Sequence, residues 1–157
     1  MSLDRAVGLR RRLKGRFVLT NGVFDLLHPG HTSYLARAKK LAGPGGVLFV
    51  ALNSDASVRA LKGPERPILP ERARAYNLSQ LASVDGIVVF RGKRLASEIL
   101  RLRPDVYCKA GDYSPSKQDP SERAALAEVG ARVRFLPFVK GFSTTRMIAR
   151  IRRAGGI

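Results

Sequence analysis

Along the chain, short apolar runs of strand length alternate with segments in which apolar residues return every three or four positions, the period of a helix. The runs are Phe17-Val18-Leu19, Val47 to Leu52, Gly86 to Phe90, Val106-Tyr107-Cys108 and Ala131 to Leu136. Runs of this kind fit parallel strands covered on both faces, where no polar alternation is needed. Between them, Tyr34, Leu35, Ala38 and Leu41 recur with helical spacing, and further helices are predicted up to Leu61, over Pro70 to Leu81, Leu95 to Leu102 and Ser121 to Glu128, and around Met147, Ile148 and Ile151. Residues 3–14, with Leu3, Ala6, Val7 and Leu13 set among basic residues, read as a short amphipathic helix or a mobile basic arm. Strands alternating with helices across short loops predict one α/β domain over residues 1–157, built on a doubly wound parallel five-stranded sheet with helices on both faces. Ligands of such sheets bind beyond the carboxyl ends of the strands, near the point where the strand order reverses. Four irregular segments follow strands, residues 21–31, 53–67, 109–113 and 141–145, and so are expected on one rim.

Composition narrows the picture. At 157 residues and 45% hydrophobic content, one domain with a sizeable core is expected. No apolar run approaches the ~20 residues of a membrane span, and the basic N-terminal residues have no apolar signal segment behind them, so a cytoplasmic protein without membrane association is expected. The single cysteine, Cys108, has no intrachain partner, and two histidines make no zinc cluster; a metal would arrive on a phosphate ligand. The net charge of +17, concentrated in Arg5 to Arg16 and Arg146 to Arg153, favours anionic partners, although solvated helix faces would carry such charge equally well. No aromatic residues interleave with these basic clusters, so a nucleic-acid-binding module is only an alternative.

The candidate chemistry centres on Thr20-Asn21-Gly22-Val23-Phe24-Asp25-Leu26-Leu27-His28-Pro29-Gly30-His31. Proline keeps His28 out of the α region and favours a helix start at position 29, which puts His31 in the first turn. Both imidazoles can then reach an anion seated on the helix amides. An isolated H-x-G-H is equally what a strand-to-helix turn with one core and one surface histidine would show. The other helices sharpen the choice: Glu71, Glu98 and Glu122 stand in or near first turns, as the helix dipole prefers. The helices after His28 and Ser143 begin instead with Gly30, His31 and Thr32, and with Thr144, Thr145 and Arg146, which leaves two helix N-termini open to anions.

Together with Asn53-Ser54-Asp55-Ala56-Ser57, Leu61-Lys62-Gly63, Arg66-Pro67, Lys109-Ala110-Gly111-Asp112-Tyr113 and Ser143-Thr144-Thr145, these residues resemble the cytidylyltransferase-like, H-x-G-H nucleotidyltransferases, and among them the heptose 1-phosphate adenylyltransferase branch, in family order over residues 17–151. The resemblance implies a Rossmann-like fold and transfer of AMP from ATP to a sugar 1-phosphate, with pyrophosphate released. It implies that His28 and His31 hold the α- and β-phosphoryl oxygens and that Lys62, on a mobile loop, bridges donor and acceptor phosphates. Thr20, Asn21, Gly22, Phe24, Gly30, Lys109, Gly111, Asp112, Ser143, Thr144 and Thr145 would bind the nucleotide. Mg2+ would accompany ATP without protein ligands of its own. A homodimer and a separate sugar kinase are further implications. Phe138, where glycerol-phosphate cytidylyltransferases tend to carry arginine, favours ATP over CTP; a CTP-dependent enzyme acting on an alcohol phosphate is the alternative. Lys109-Ala110-Gly111 in place of the commoner double glycine, and Lys140 where an acid is common, depart from the pattern.

Overall fold

The computed structural model describes residues 1–111, 118–137, 139 and 141–155. Its strands are β1 (Phe17–Gly22), β2 (Val47–Asn53), β3 (Gly86–Phe90), β4 (Val106–Ala110) and β5 (Arg132–Leu136). They form one parallel sheet in the order β3-β2-β1-β4-β5, a Rossmann-like arrangement whose switch point lies between β1 and β4. Side chains alternate across it: Phe17 and Leu19 join Phe49, Ile99, Tyr107 and Leu126 on one face, while Val18 joins Leu35, Leu48, Val50, Leu78 and Cys108 on the other. The first face carries α1 (Leu3–Arg12), α5 (Ala96–Leu102) and α6 (Pro120–Glu128); the second carries α2 (Pro29–Lys40) and α4 (Glu71–Ser79). Two further helices, α3 (Asp55–Lys62) and α7 (Thr144–Ala154), follow β2 and β5.

The N-terminal segment is a helix and not a mobile arm. Ser2 caps it through the Arg5 amide, Ala6 is fully buried, and Arg10 pairs with Asp105 at 2.8 Å and lies over the Phe17 ring. Two strands also depart from the expectation of burial on both faces. In β3 Val89 is exposed, and in β5 Arg132 and Arg134 are exposed, because these are the outer strands of the sheet. Lys62, expected on a loop, is the last residue of α3, and the chain turns only at Gly63, whose φ of 93° favours glycine. No helix among the described residues is long and apolar enough to cross a membrane.

One side chain binds the rim together. Arg74 on α4 is fully buried, and its guanidinium donates to the carbonyls of Leu69, Val23 and Asn53 and to the Asp55 carboxylate at 2.7–2.9 Å. A buried guanidinium is tolerated only when paired and fully hydrogen-bonded. Here its partners fix the β1–α2 loop, the end of β2, the start of α3 and the segment before α4 as one unit.

Candidate active site

The loop after β1 is a strained turn. Phe24 has φ 46°, a left-handed conformation uncommon for a bulky residue, and its buried ring packs where any side chain at position 22 would stand, 2.8 Å from a Cβ on Gly22. The turn delivers His28 in extended conformation at the N-cap of α2, with Pro29 as first helical residue and His31 in the first turn. The two imidazoles stack, centroids 3.8 Å apart and planes 17° off parallel, with Phe24 tilted against His31 and Phe142 alongside His28. A Cβ at position 30 would lie 2.9 Å from the His28 ring, so any larger residue there would displace that imidazole.

Burial lowers the pKa of His28, against the pull of its own backbone carbonyl. His31 is pushed down to about 4, by burial first and then by His28 and Lys62; the Leu26 carbonyl opposes this without reaching hydrogen-bond geometry. Nδ1 of both rings is buried with no hydrogen-bond partner among the described residues. Both shifts favour the neutral form of the stacked imidazoles at neutral pH.

Across from the histidines lies the loop between α3 and α4, held by Asp25. Its carboxylate, almost fully buried, accepts from the Ile68 amide, the Leu69 amide and Arg66 Nε at 2.8–2.9 Å. Burial alone would raise the Asp25 pKa, but the two amides and the guanidinium outweigh it and hold the carboxyl below its ordinary value. Lys62, solvent-exposed at the end of α3, has its pKa lowered by the partial desolvation of its ammonium and by Arg66, with Asp25 opposing. Glu65 pairs with Arg152 of α7 at 3.0 Å, joining this loop to the last helix.

That helix begins without a cap. Ser143 stands at its N-cap position, yet its hydroxyl makes no capping bond, and no acid stands in the first turn. The start of α2 is the same in both respects. Between the two lies a cavity of about 820 Å³. Of the residues singled out from the sequence, Asn21, Gly22, Phe24, His28, Gly30, His31, Lys62, Ser143, Thr144 and Thr145 line it. Its one carboxylate among the described residues is Asp25, already engaged by three donors, while Lys62, Arg66 and Arg146 add positive charge.

Three expected nucleotide contacts stand elsewhere. Thr20 is fully buried within the sheet, its hydroxyl bonded to Tyr34 Oη at 2.7 Å and to the Cys108 carbonyl, so it supports the cavity wall from behind and touches no cavity. Lys109 points to the other face of the sheet, into a separate cavity, because side chains alternate and its neighbour Ala110 lines the first one. Gly111 is buried with φ 103°, its amide held by the Leu136 carbonyl. Asp112 lies outside the described residues, as do Tyr113, Phe138 and Lys140. The sequence reading assigned no role to Asp25, Arg66 or Tyr34 in the cavity wall, nor to Arg74 beneath it. Asp25 and Arg66 stood inside the matched motifs, which was the available signal; Arg74 gave none beyond an arginine on the helix that faces the sheet.

A family model described as Cytidylyltransferase-like matches residues 19–150. The chain is 43% identical over 150 residues to a bifunctional protein HldE of Syntrophotalea carbinolica and 47% identical over 150 residues to that of Methylococcus capsulatus, in both cases across 96% of its length. It spans about 30% of the length of these curated relatives. Among solved structures it is similar to a lipopolysaccharide core biosynthesis protein from Thermoplasma volcanium, at TM-score 0.63 and 28% identity over 82% of this chain and 99% of that one. A pantothenate synthetase from Thermus thermophilus, 14% identical with TM-score 0.60 over 98% of this chain and 68% of that one, shares the fold.

Proposed function

This chain belongs to the cytidylyltransferase-like family and is a nucleotidyltransferase, and on that premise we propose that it transfers AMP from ATP to a sugar 1-phosphate, heptose 1-phosphate foremost. An oxygen of the sugar phosphate attacks the α-phosphorus in line; that P–O bond forms as the bond to the β-phosphate bridging oxygen breaks, and pyrophosphate leaves with the electron pair. Such a reaction asks for positioning and charge stabilisation, not for a protein nucleophile.

The observation that carries the reading is the convergence of two uncapped, acid-free helix starts and a stacked histidine pair on one cavity whose only described carboxylate is already engaged. The Gly30 amide at the start of α2 and the two imidazoles would take the α- and β-phosphoryl oxygens. Ser143, Thr144 and Thr145 would take the far end of the triphosphate. Held neutral at rest, the imidazoles do not repel each other strongly; an arriving polyanion favours their protonated forms, so positive charge grows where the leaving pyrophosphate gains negative charge. Lys62, on the cavity wall with Arg66, would meet the phosphate that joins donor to acceptor. Magnesium would enter on the triphosphate, since with Asp25 engaged the described wall offers it no carboxylate.

The test is pyrophosphate release with each nucleoside triphosphate, Mg2+ and a panel of sugar 1-phosphates and alcohol phosphates. Release with ATP and a sugar 1-phosphate is expected. Release only with CTP and an alcohol phosphate would replace the substrates while keeping the chemistry, and no release with any pair would overturn the reading.

A further inference from the structure

The second cavity, of about 510 Å³, opens on the other side of the β1 and β4 ends and differs in chemistry from the first. Four of its five charged side chains are paired, and Lys93 has no partner among the described residues. Lys109 Nζ lies 3.6 Å from Glu122 Oε2, and Arg94 Nε lies 2.6 Å from Asp119 Oδ2. With Lys93 the wall keeps a net positive charge, and its two ion pairs present donors and acceptors side by side, as vicinal hydroxyl groups require. The remaining polar wall is amide: Asn21, Asn53 and Gln118.

Gln118 is the telling residue. It is 6% exposed, lines this cavity, and its Nε2 is buried with no hydrogen-bond partner among the described residues. Native folds rarely leave such a donor unpaired, and where they do a missing ligand is among the few explanations. The position of the cavity names the ligand. Asn21 lines both cavities, and the adjacent residues Leu61 and Lys62 at the end of α3 line the second and the first respectively. A molecule in the second cavity therefore reaches the phosphate cavity at the point where Lys62 stands.

We propose that the second cavity holds the sugar body of the acceptor, with Gln118 and the Lys109–Glu122 pair taking its hydroxyl groups and its phosphate lying at the junction beside Asn21 and Lys62. The assignment rests on the transfer proposed above. It moves Lys109 from the nucleotide to the acceptor and makes Gln118 a residue that selects a polyhydroxylated acceptor over a simple alcohol phosphate.

The experiment uses the full chain and the sugar 1-phosphate that gives the fastest pyrophosphate release. Gln118→Leu should raise KM for that acceptor at least tenfold, leave the affinity for a non-hydrolysable ATP analogue within twofold, and hold or raise Tm, because an unpaired buried donor has been removed. Lys109→Met should shift the acceptor KM in the same direction. The unphosphorylated sugar should compete with the acceptor and not with ATP. An unchanged acceptor KM in both variants, or a loss of ATP-analogue affinity in place of acceptor affinity, overturns the assignment while the transfer reading stands. A fall in Tm with unchanged KM shows Gln118 to be structural and overturns it as well. If wild-type protein releases no pyrophosphate with any pair, it is the transfer reading that fails.

Discussion

The helices of this protein treat their N-termini in two ways. At α3 the amide of Asp55 is met by Glu71 at 2.9 Å, and at α5 the amide of Leu95 is met by Glu122 at 3.1 Å; α6 is capped by Asp119. These first-turn acids of α4 and α6 thus serve the starts of neighbouring helices, beyond the preference of their own helix dipole. At α2 and α7 there is neither a side-chain cap nor a first-turn acid, and these two starts face one cavity. A fold that supplies carboxylates to its other helix starts and withholds them at two is arranged for an anion that comes from outside.

Removing the groups that exploit an open start should have the largest effect. His31→Ala is expected to lower kcat by about 10²–10³, the range for loss of one stabilising donor, while ATP-analogue affinity changes less than tenfold. Equal losses in both would mean that His31 binds the ground state and does not favour the transition state. Next comes an open start converted into a filled one. Thr144→Glu places a carboxylate in the first turn of α7 and should weaken ATP-analogue binding by about tenfold or more while leaving Tm level or slightly higher, the helix dipole being better satisfied. Calorimetry and thermal melting on the same sample read both quantities. Unchanged affinity would remove α7 from the anion site.

The pH dependence of stability distinguishes the two regions more gently. His31 has a folded pKa of about 4 against an ordinary value of 6.5, so between those values the unfolded chain binds more protons and stability falls as pH falls from about 6.5 toward 4. Asp25, held below its ordinary value, contributes stability above that value that is lost only as pH drops through its lower folded pKa. The histidine part of the acid decline therefore begins at higher pH. In His31→Ala the slope of ligand-free stability between pH 6.5 and 5 should flatten, and a bound ATP analogue, which favours the protonated ring, should flatten it in the wild type too.

The sheet, its helices and the histidine turn were legible because each depends on local spacing: apolar runs, a proline after His28, a glycine before His31. What escaped depends on contacts far apart in the chain. Asp25 acquires its role from Arg66, Ile68 and Leu69, more than 40 positions away, and Arg74 from Val23, 51 positions back. Lys109 is expected at the nucleotide because it follows a strand on the correct rim; which face it takes depends on the register of β4 against β1, and that is a property of the whole sheet. The exposure of β3 and β5 follows in the same way from strand order, which apolar runs do not encode.

The smallest effect belongs to the filled starts and is the control for the rest. Glu71→Gln keeps an oxygen that can still accept from the Asp55 amide and removes only the charge, so about 0.5–1 kcal/mol of stability should be lost, a fall of roughly 1–4 °C in Tm. Nucleotide affinity should stay within twofold, because Glu71 acts on the start of α3 and is not among the residues lining the phosphate cavity. If Glu71→Gln weakened ATP-analogue binding as much as Thr144→Glu, carboxylates at helix starts would be acting through the general stability of the rim, and the division between filled and open starts would carry no information about where the anion binds.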